Sequence, residues 1–357
     1  MVLADMGQID TPALLIDLDA VERNINVMIS FLSGKKLKLR PHFKSVKVPE
    51  IALMQLEAGA KGITCAKLSE AEVLADAGVT DILLANQIVT PLKLERLANL
   101  AGRVPRMAVA VDTVNNVQEL NDACAQADTS MHVFVELDVG LGRCGVRTYE
   151  EGLVVSKAVV DAPNLVFEGI QAYEGHLVLK PDIAVRKNGV EHLLSYVEGF
   201  KNHLENHGVP VNEVSGSGTG THMLTGIGDI YTELQAGSYI YMDTRYAGLG
   251  LPFEFAQYIL STVISKQPGV AILDVGLKSI STDNGAPLVV GFERCNIKLS
   301  EEHCKLDDPE GRLKVNDTAV FIPSHCCTTI NLYDVAYGIR GGSVERIFEI
   351  KGRGKSQ

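Results

Sequence analysis

Residues 63–85 read ITCAKLSEAEVLADAGVTDILLA. Ile63–Ala66 and Asp81–Ala85 are short apolar runs of strand length, and Ser69–Ala77 between them repeats its apolar residues at helical spacing. A strand, a helix and a second strand in so short a span imply a right-handed parallel crossover. The alternation continues on both sides. Leu37–Arg40, Met107–Asp112, His132–Asp138, Leu165–Tyr173, Glu213–Ser215 and Thr232–Ala236 read as further strands, with Val48–Gly59 and Asn115–Ala127 among the intervening helices. Eight such units predict a (β/α)8 barrel. The competing doubly wound open sheet normally carries a glycine-rich turn after its first strand. Here that strand runs into Arg40-Pro41-His42-Phe43-Lys44, which has no glycine.

Beyond about residue 247 the pattern changes. Gln257–Ser265, Val270–Asp274, Pro287–Val290, Ala319–Pro323, Ala336–Gly338 and Glu345–Lys351 are strand-like, and turns such as Asp283-Asn284-Gly285 and Gly341-Gly342 separate them. This predicts an all-β second domain. Ala13–Leu18 is an opening strand, expected to pair with that domain, and Asp19 is placed to cap a helix over Ala20–Leu32. The expected division is therefore a barrel over 19–246 and a β domain built from 1–18 plus 247–357.

The chain has 357 residues, is 46% hydrophobic, and carries 33 basic against 44 acidic residues for a net charge of −11. That balance argues against nucleic acid as a partner, since phosphate-backbone binding needs a basic surface. No apolar run approaches the ~18 residues of a transmembrane helix, so no membrane association is expected. The first residues, MVLADMGQIDTPALLIDLD, lack the basic start and small-residue cleavage site of a signal peptide. Seven cysteines form no CxxC pair and no regular spacing, which suits reduced thiols in a cytoplasm.

In a barrel, chemistry gathers at the C-terminal ends of the strands. Lys44 follows the first barrel strand and reads as a carbonyl-condensing amine or as a solvated charge. Asp138–Gly145 sets Arg143 among three glycines, either a close-approach loop or an ordinary turn. Ala172-Tyr173-Glu174-Gly175-His176 brings a phenol, a carboxylate and an imidazole to the mouth, each of them a functional group there or a buried structural polar group. Ser215-Gly216-Ser217-Gly218-Thr219-Gly220 and Gly237-Ser238-Tyr239 end the last two strands, where barrels often bind phosphate. A cofactor with a phosphate and an aldehyde accounts for lysine and cradle together, which points to pyridoxal phosphate on Lys44. In the β domain, Pro323-Ser324-His325-Cys326-Cys327 reads as a strand on which His325 and Cys327 share a face and a metal ion. The alternative is a buried histidine beside two core cysteines.

The fragments DTPALLIDLDAVERNI, RPHFKSVKVPEIA, VELDVGLGRCGV, GIQAYEGH, GSGTGTH, YTELQAGSYIYMD and PSHCCTTINLYD occur in this order along nearly the full chain. In combination they resemble the D-threonine aldolases and related metal-activated pyridoxal enzymes, which share the alanine-racemase-like fold. The resemblance implies that Lys44 carries the cofactor, that Arg143 meets its pyridine nitrogen, and that Tyr173 lies beside it. Ser217, Gly218, Thr219, Gly237, Ser238 and Tyr239 match the phosphate-binding segments, and His325 matches the metal-binding histidine. It also implies a homodimer.

Two departures stand out. Aldolases typically place aspartate two residues after the metal histidine, whereas this chain has Cys327. A His-x-Cys pair resembles the zinc-dependent D-serine and D-threo-3-hydroxyaspartate dehydratases, and a thiolate favours zinc over magnesium or manganese. Aldolases also place a histidine six residues beyond the tyrosine. Position 179 is leucine here, leaving His176 as the candidate base, and the loop expected over Lys180–Val190 is unlike the family's. The leading expectation is a cytoplasmic aldolase that cleaves D-β-hydroxy-α-amino acids to glycine and an aldehyde. The alternatives are a dehydratase giving a 2-oxo acid and ammonia, an amino-acid racemase, and a non-catalytic pyridoxal-phosphate-binding protein.

Overall fold

The computed structural model describes residues 9–357. The chain divides into two compact units. One comprises Ile29–Lys44, Pro49–Gly237 and Lys355–Gln357; the other comprises the described part of Met1–Met28 with Ser45–Val48 and Ser238–Gly354. Strand β1 (Ala13–Asp17) belongs to the second unit. The first contains β2 (Lys38–Leu39), β3 (Ile63–Cys65), β4 (Asp81–Leu84), β5 (Arg106–Val111), β6 (Met131–Glu136), β7 (Leu165–Ala172), β8 (Glu213–Gly216) and β9 (Glu233–Leu234).

These eight strands form one parallel sheet in the order β2-β9-β8-β7-β6-β5-β4-β3. Its two ends meet. Lys61 N–H donates to Leu39 O at 2.8 Å and Thr64 N–H to Pro41 O at 2.9 Å, so the sheet closes as the alternation of strands and helices predicts. Leu83, Ala108 and Phe134 pack together on β4, β5 and β6. The helices begin where side chains satisfy their free N–H groups. Thr113 accepts from Asn116 N ahead of helix Val114–Gln126, and Thr148 and Glu151 form a capping box for Tyr149–Asp161. Asp182 accepts from Ala184 and Val185 N and starts the helix Ile183–Asn206. The loop expected over Lys180–Val190 is therefore mostly helix.

The second unit adds β10 (Gln257–Gln267), β11 (Val270–Leu273), β12 (Leu288–Val289), β13 (Ile297–Leu299), β14 (Cys304–Asp307), β15 (Thr318–Ile322), β16 (Val335–Arg340) and β17 (Ser343–Glu349). With β1 they make a nine-stranded sheet whose main path is β13-β14-β11-β10-β1-β16-β17, while β15 pairs with β10 and β12. All pairings are antiparallel except β1 with β16. Ala13 and Leu15 of β1 pack with Leu260 and Ile339. Two local expectations are corrected. The first long helix starts at Leu18, and Asp17, not Asp19, accepts from Ala20 N–H; Asp19 instead holds Gly341 N–H and Arg340. A short helix, Cys326–Ile330, begins inside the stretch Pro323–Cys327 that was expected to be strand. Strands β13 and β14 were not anticipated, being short and interrupted by polar residues.

Candidate active site

Arg40 explains why the chain after β2 holds a fixed course. It is 1% exposed, with Nε donating to Glu233 Oε1 at 2.9 Å and Nη1 to Asp81 Oδ1 at 2.6 Å. Burial opposes its charge, but the two carboxylates outweigh it and raise the guanidinium above its ordinary pKa. The clamp ties β2 to the starts of β4 and β9. Four residues on, Lys44 is half-buried in the helical turn Phe43–Val46, and its backbone N–H faces His42 Nδ1 at 3.4 Å. Its Nζ lies 5.5 Å from the ring centroid of Tyr173, and the Arg143 guanidinium carbon lies 5.8 Å from the same centroid. The structure thus brings together an amine, a guanidinium and a phenol that are widely separated in sequence.

The Arg143 loop is folded by Asp138, whose Oδ1 accepts from Gly140 N and Gly142 N at 3.0 Å. Gly140 and Gly142 have φ of 107° and 69°, a region open to glycine at little cost. Behind the loop, Glu136 is buried, lies 3.5 Å from Arg143 Nη2, and accepts from Gln87 Nε2 at 2.6 Å. Burial raises its carboxyl pKa, with Gln87 and Arg143 pulling the other way. His176 stands over the same loop: a Cβ on Gly140 would lie 3.4 Å from its Nε2. Its Nδ1 is buried with no hydrogen-bond partner among the described residues. Burial lowers the imidazole pKa, Asp138 acting upward and Lys180 further downward.

The glycine-serine loop after β8 runs close beneath Tyr173. A Cβ on Gly218 would sit 2.6 Å from Val178 Cγ1 and 3.4 Å from Tyr173 Cε2, so only glycine lets the backbone approach this far. Ser217 has φ +68°, and its Oγ lies 2.6 Å from Thr225 Oγ1. Thr219 is buried. Glu174 takes the buried of its two readings: Oε2 accepts from Ser217 N–H at 3.1 Å and Oε1 from the Thr221 hydroxyl at 2.6 Å. Burial pushes its pKa up to about 7. An aldehyde-phosphate cofactor fits this arrangement: an amine, a guanidinium, and a loop whose backbone a side chain would obstruct.

His325 and Cys327 lie in the other unit. His325 is the N-cap of Cys326–Ile330, and Cys326 N–H is held by Asp243 Oδ2 at 3.1 Å. The i, i+2 argument for a shared strand face does not apply, yet the two side chains hydrogen-bond each other from the helix start. His325 Nδ1 meets Asp283 Oδ2 at 2.7 Å, and Cys327 Sγ lies 3.0 Å from Ser45 Oγ and 3.6 Å from Ser238 Oγ. Burial works against the His325 cation, but Cys327 and Asp283 lift its pKa to about 9. The Cys326 hydrogen bond, with His325 acting the same way, holds the Cys327 thiol well below its ordinary range. A carboxylate behind a histidine beside a thiolate is donor chemistry suited to a borderline-soft cation. Among the described residues no group of three or more His, Cys, Asp or Glu converges as a metal cage. Tyr239, in the turn Ser238–Ile240, is fully buried, its ring 5.4 Å from Phe253. The supporting roles of Ser45, Asp243 and Asp283 carried no signal in the sequence.

The chain matches the family described as alanine racemase, N-terminal domain, over residues 16–245, and that described as putative serine dehydratase domain over residues 256–339. It is 38% identical to a 3-hydroxy-D-aspartate aldolase of Paracoccus denitrificans (strain Pd 1222), covering 98% of this chain and 94% of that one. It is 37% identical to a D-threonine aldolase of an Arthrobacter species, covering 99% and 95%. The solved D-threonine aldolase of Filomicrobium marinum superposes with a TM-score of 0.94 at 36% identity, covering 98% of this chain and 96% of that chain.

Proposed function

The chain belongs to the alanine racemase N-terminal domain family, and on that premise we propose that it is a pyridoxal-phosphate-dependent carbon–carbon lyase, cleaving D-β-hydroxy-α-amino acids to glycine and an aldehyde. The observation that carries this reading is the Lys44 amine and the Arg143 guanidinium, both within 6 Å of the Tyr173 ring centroid, with the Gly218 backbone against that ring.

When bound, pyridoxal phosphate supplies an electron sink for negative charge developing at the substrate Cα. Lys44 is the amine that carries it. Arg143, a donor that does not surrender its proton, leaves the ring nitrogen unprotonated. Ser217, Gly218, Thr219 and Gly237 bind the phosphate, and the resemblance extends that role to Ser238 and Tyr239. Tyr173 positions the ring. His176 accepts the β-hydroxyl proton: its unpartnered Nδ1 and lowered pKa keep the imidazole a neutral base. His325 and Cys327 would hold a divalent cation, zinc by donor type rather than manganese or magnesium, and such a cation would supply Lewis-acid chemistry toward the substrate hydroxyl. The reading places these functions in a barrel domain over 19–246 and a β domain over 1–18 plus 247–357.

The protein acts on a small D-amino acid. Among the described residues no helix is long and apolar enough to cross a membrane. We place it in the cytoplasm as a homodimer; all seven cysteines are free thiols, the state a reducing compartment maintains.

Dehydration is the second reading, favoured by Cys327 in the metal pair and by Leu179 where aldolases carry histidine. Product analysis separates the two. Holoprotein incubated with D-threonine and with D-3-hydroxyaspartate is expected to yield glycine and an aldehyde. Formation of 2-oxo acid and ammonia would overturn the lyase assignment in favour of the dehydratase, and chiral inversion alone in favour of a racemase. Lys44→Ala is expected to abolish the visible absorption band of lysine-bound cofactor.

A further inference from the structure

Between Tyr173 and His176 stands a carboxylate that no step above uses. Glu174 is fully buried, yet among the described residues no cation acts on it. Its neighbours are neutral. Ser217 N–H and the Thr221 hydroxyl donate to it from the loop after β8. Tyr231, on the segment entering β9, spends its hydroxyl proton on Ala172 O at 2.7 Å. On its own segment the next titratable groups are Tyr173 and His176. A dianionic phosphate entering the Ser217–Thr219 loop would therefore meet a second negative charge in a low-dielectric interior.

We propose that Glu174 couples cofactor binding to proton uptake: it takes one proton from solvent when the phosphate dianion occupies the Ser217–Thr219 loop. The inference rests on the pyridoxal-phosphate reading above and deepens it by assigning a positioning residue for the phosphate loop.

The hydrogen bonds permit both charge states without leaving a buried group unsatisfied. With Glu174 ionised, the Thr221 hydroxyl donates to Oε1 while its oxygen accepts from Gly218 N–H at 3.2 Å. With Glu174 protonated, the carboxyl O–H donates to Thr221 Oγ1, whose own proton turns to Gly218 O, 3.3 Å away. Ser217 N–H remains bonded to the other carboxyl oxygen in either state. The direction of one hydroxyl thus reports the charge of Glu174 to the backbone of Gly218. Burial has already raised this carboxyl to about 7, so an approaching anion has little further to shift it before the proton is held across the neutral range.

The sign follows from linkage. Above the pKa of the free protein, binding must draw a proton, and affinity falls by about tenfold per pH unit; below it, the proton is already present and binding is independent of this group. In Glu174→Gln the side chain is neutral in both states, and its amide N–H donates to Thr221 Oγ1 as the protonated carboxyl does.

Full-chain apoprotein is titrated with pyridoxal phosphate at about pH 8 and about pH 5.5 in two buffers of different ionisation enthalpy. The wild type is expected to take up about one proton more than Glu174→Gln at the higher pH and the same number at the lower, and the variant is expected to retain the visible band. Equal uptake by the two proteins at the higher pH overturns the proposal while leaving the cofactor reading intact. Failure of the wild type to form the band overturns both. Infrared difference spectra of the wild type upon addition of inorganic phosphate need no variant: a new protonated-carboxyl band is expected, and its absence also overturns the proposal.

Discussion

Gly218→Ala tests the cradle by the smallest possible perturbation. The added methyl would lie 2.6 Å from Val178 Cγ1, against the 3.5–4.0 Å of an ordinary carbon contact, so roughly 1 Å of displacement is required. Val178 is buried and β-branched, with little rotamer freedom to turn aside, and the ring of Tyr173 blocks the other side at 3.4 Å. The loop must therefore lift. Overpacking of this kind costs about 1–3 kcal/mol. If the bound state demands the original loop position, that cost becomes roughly a fivefold to hundredfold loss of pyridoxal-phosphate affinity, read by titrating apoprotein and following the visible band. The specific partner of the clash supplies the control. Val178→Ala removes Cγ1, so Gly218→Ala in that background is expected to bind the cofactor more tightly than Gly218→Ala alone, a coupling that a double-mutant cycle isolates. Wild-type affinity in Gly218→Ala, or no recovery in the double variant, would refute the close-approach argument.

Replacing His176 by Asn is expected to lower kcat by about 10²–10⁴ with the cofactor band unchanged. Because burial lowers the imidazole pKa, its neutral base form persists as pH falls below the ordinary histidine value, and the acidic limb of kcat/KM should lie there; a limb above that value excludes His176 as the base. Cys327→Ala is expected to weaken zinc retention in equilibrium dialysis, and Cys327→Asp to move preference toward manganese or magnesium; unchanged preference in the aspartate variant removes the thiolate from the metal. Arg40→Met strips the buried guanidinium from between Glu233 and Asp81, which keep Lys61 and Arg106 as partners, at a cost of about 3 kcal/mol in urea unfolding. A loss under about 1 kcal/mol means the clamp does not hold β2 in place.

The fold was largely readable along the chain. Strands such as Asp81–Leu84 and helices such as Val114–Gln126 carry their periodicity and their caps within a few residues, so local pattern reports them nearly to the ends. Reading failed where a feature depended on distant partners. The segment Pro323–Cys327 reads as a strand, but Asp243, far back in sequence, takes the Cys326 N–H and a helix starts there. Residues 180–190, expected as a loop unlike the family's, are mostly helix because the Asp182 side chain caps Ile183–Asn206.

The chemistry divides along the same line. Lys44, Arg143 and Tyr173 stand out in the sequence because a barrel sends its strand ends to one mouth, and the structure brings the Lys44 and Arg143 side chains within 6 Å of the Tyr173 ring centroid. Charge and environment do not follow. Glu174 and His176 stand two residues apart in the chain, yet one is sealed beneath the Ser217–Thr221 loop with a raised pKa and the other faces Gly140 with a lowered one. The thiol of Cys327 is governed by Cys326 and His325 beside it and by Ser45, 282 positions away. Sequence by itself determined which functional groups the protein owns and which strand ends carry them, because local backbone preference sets the order of elements. Only the tertiary structure decided which of those groups are charged, paired or unpartnered, because desolvation and hydrogen bonding depend on neighbours that the chain brings together from afar.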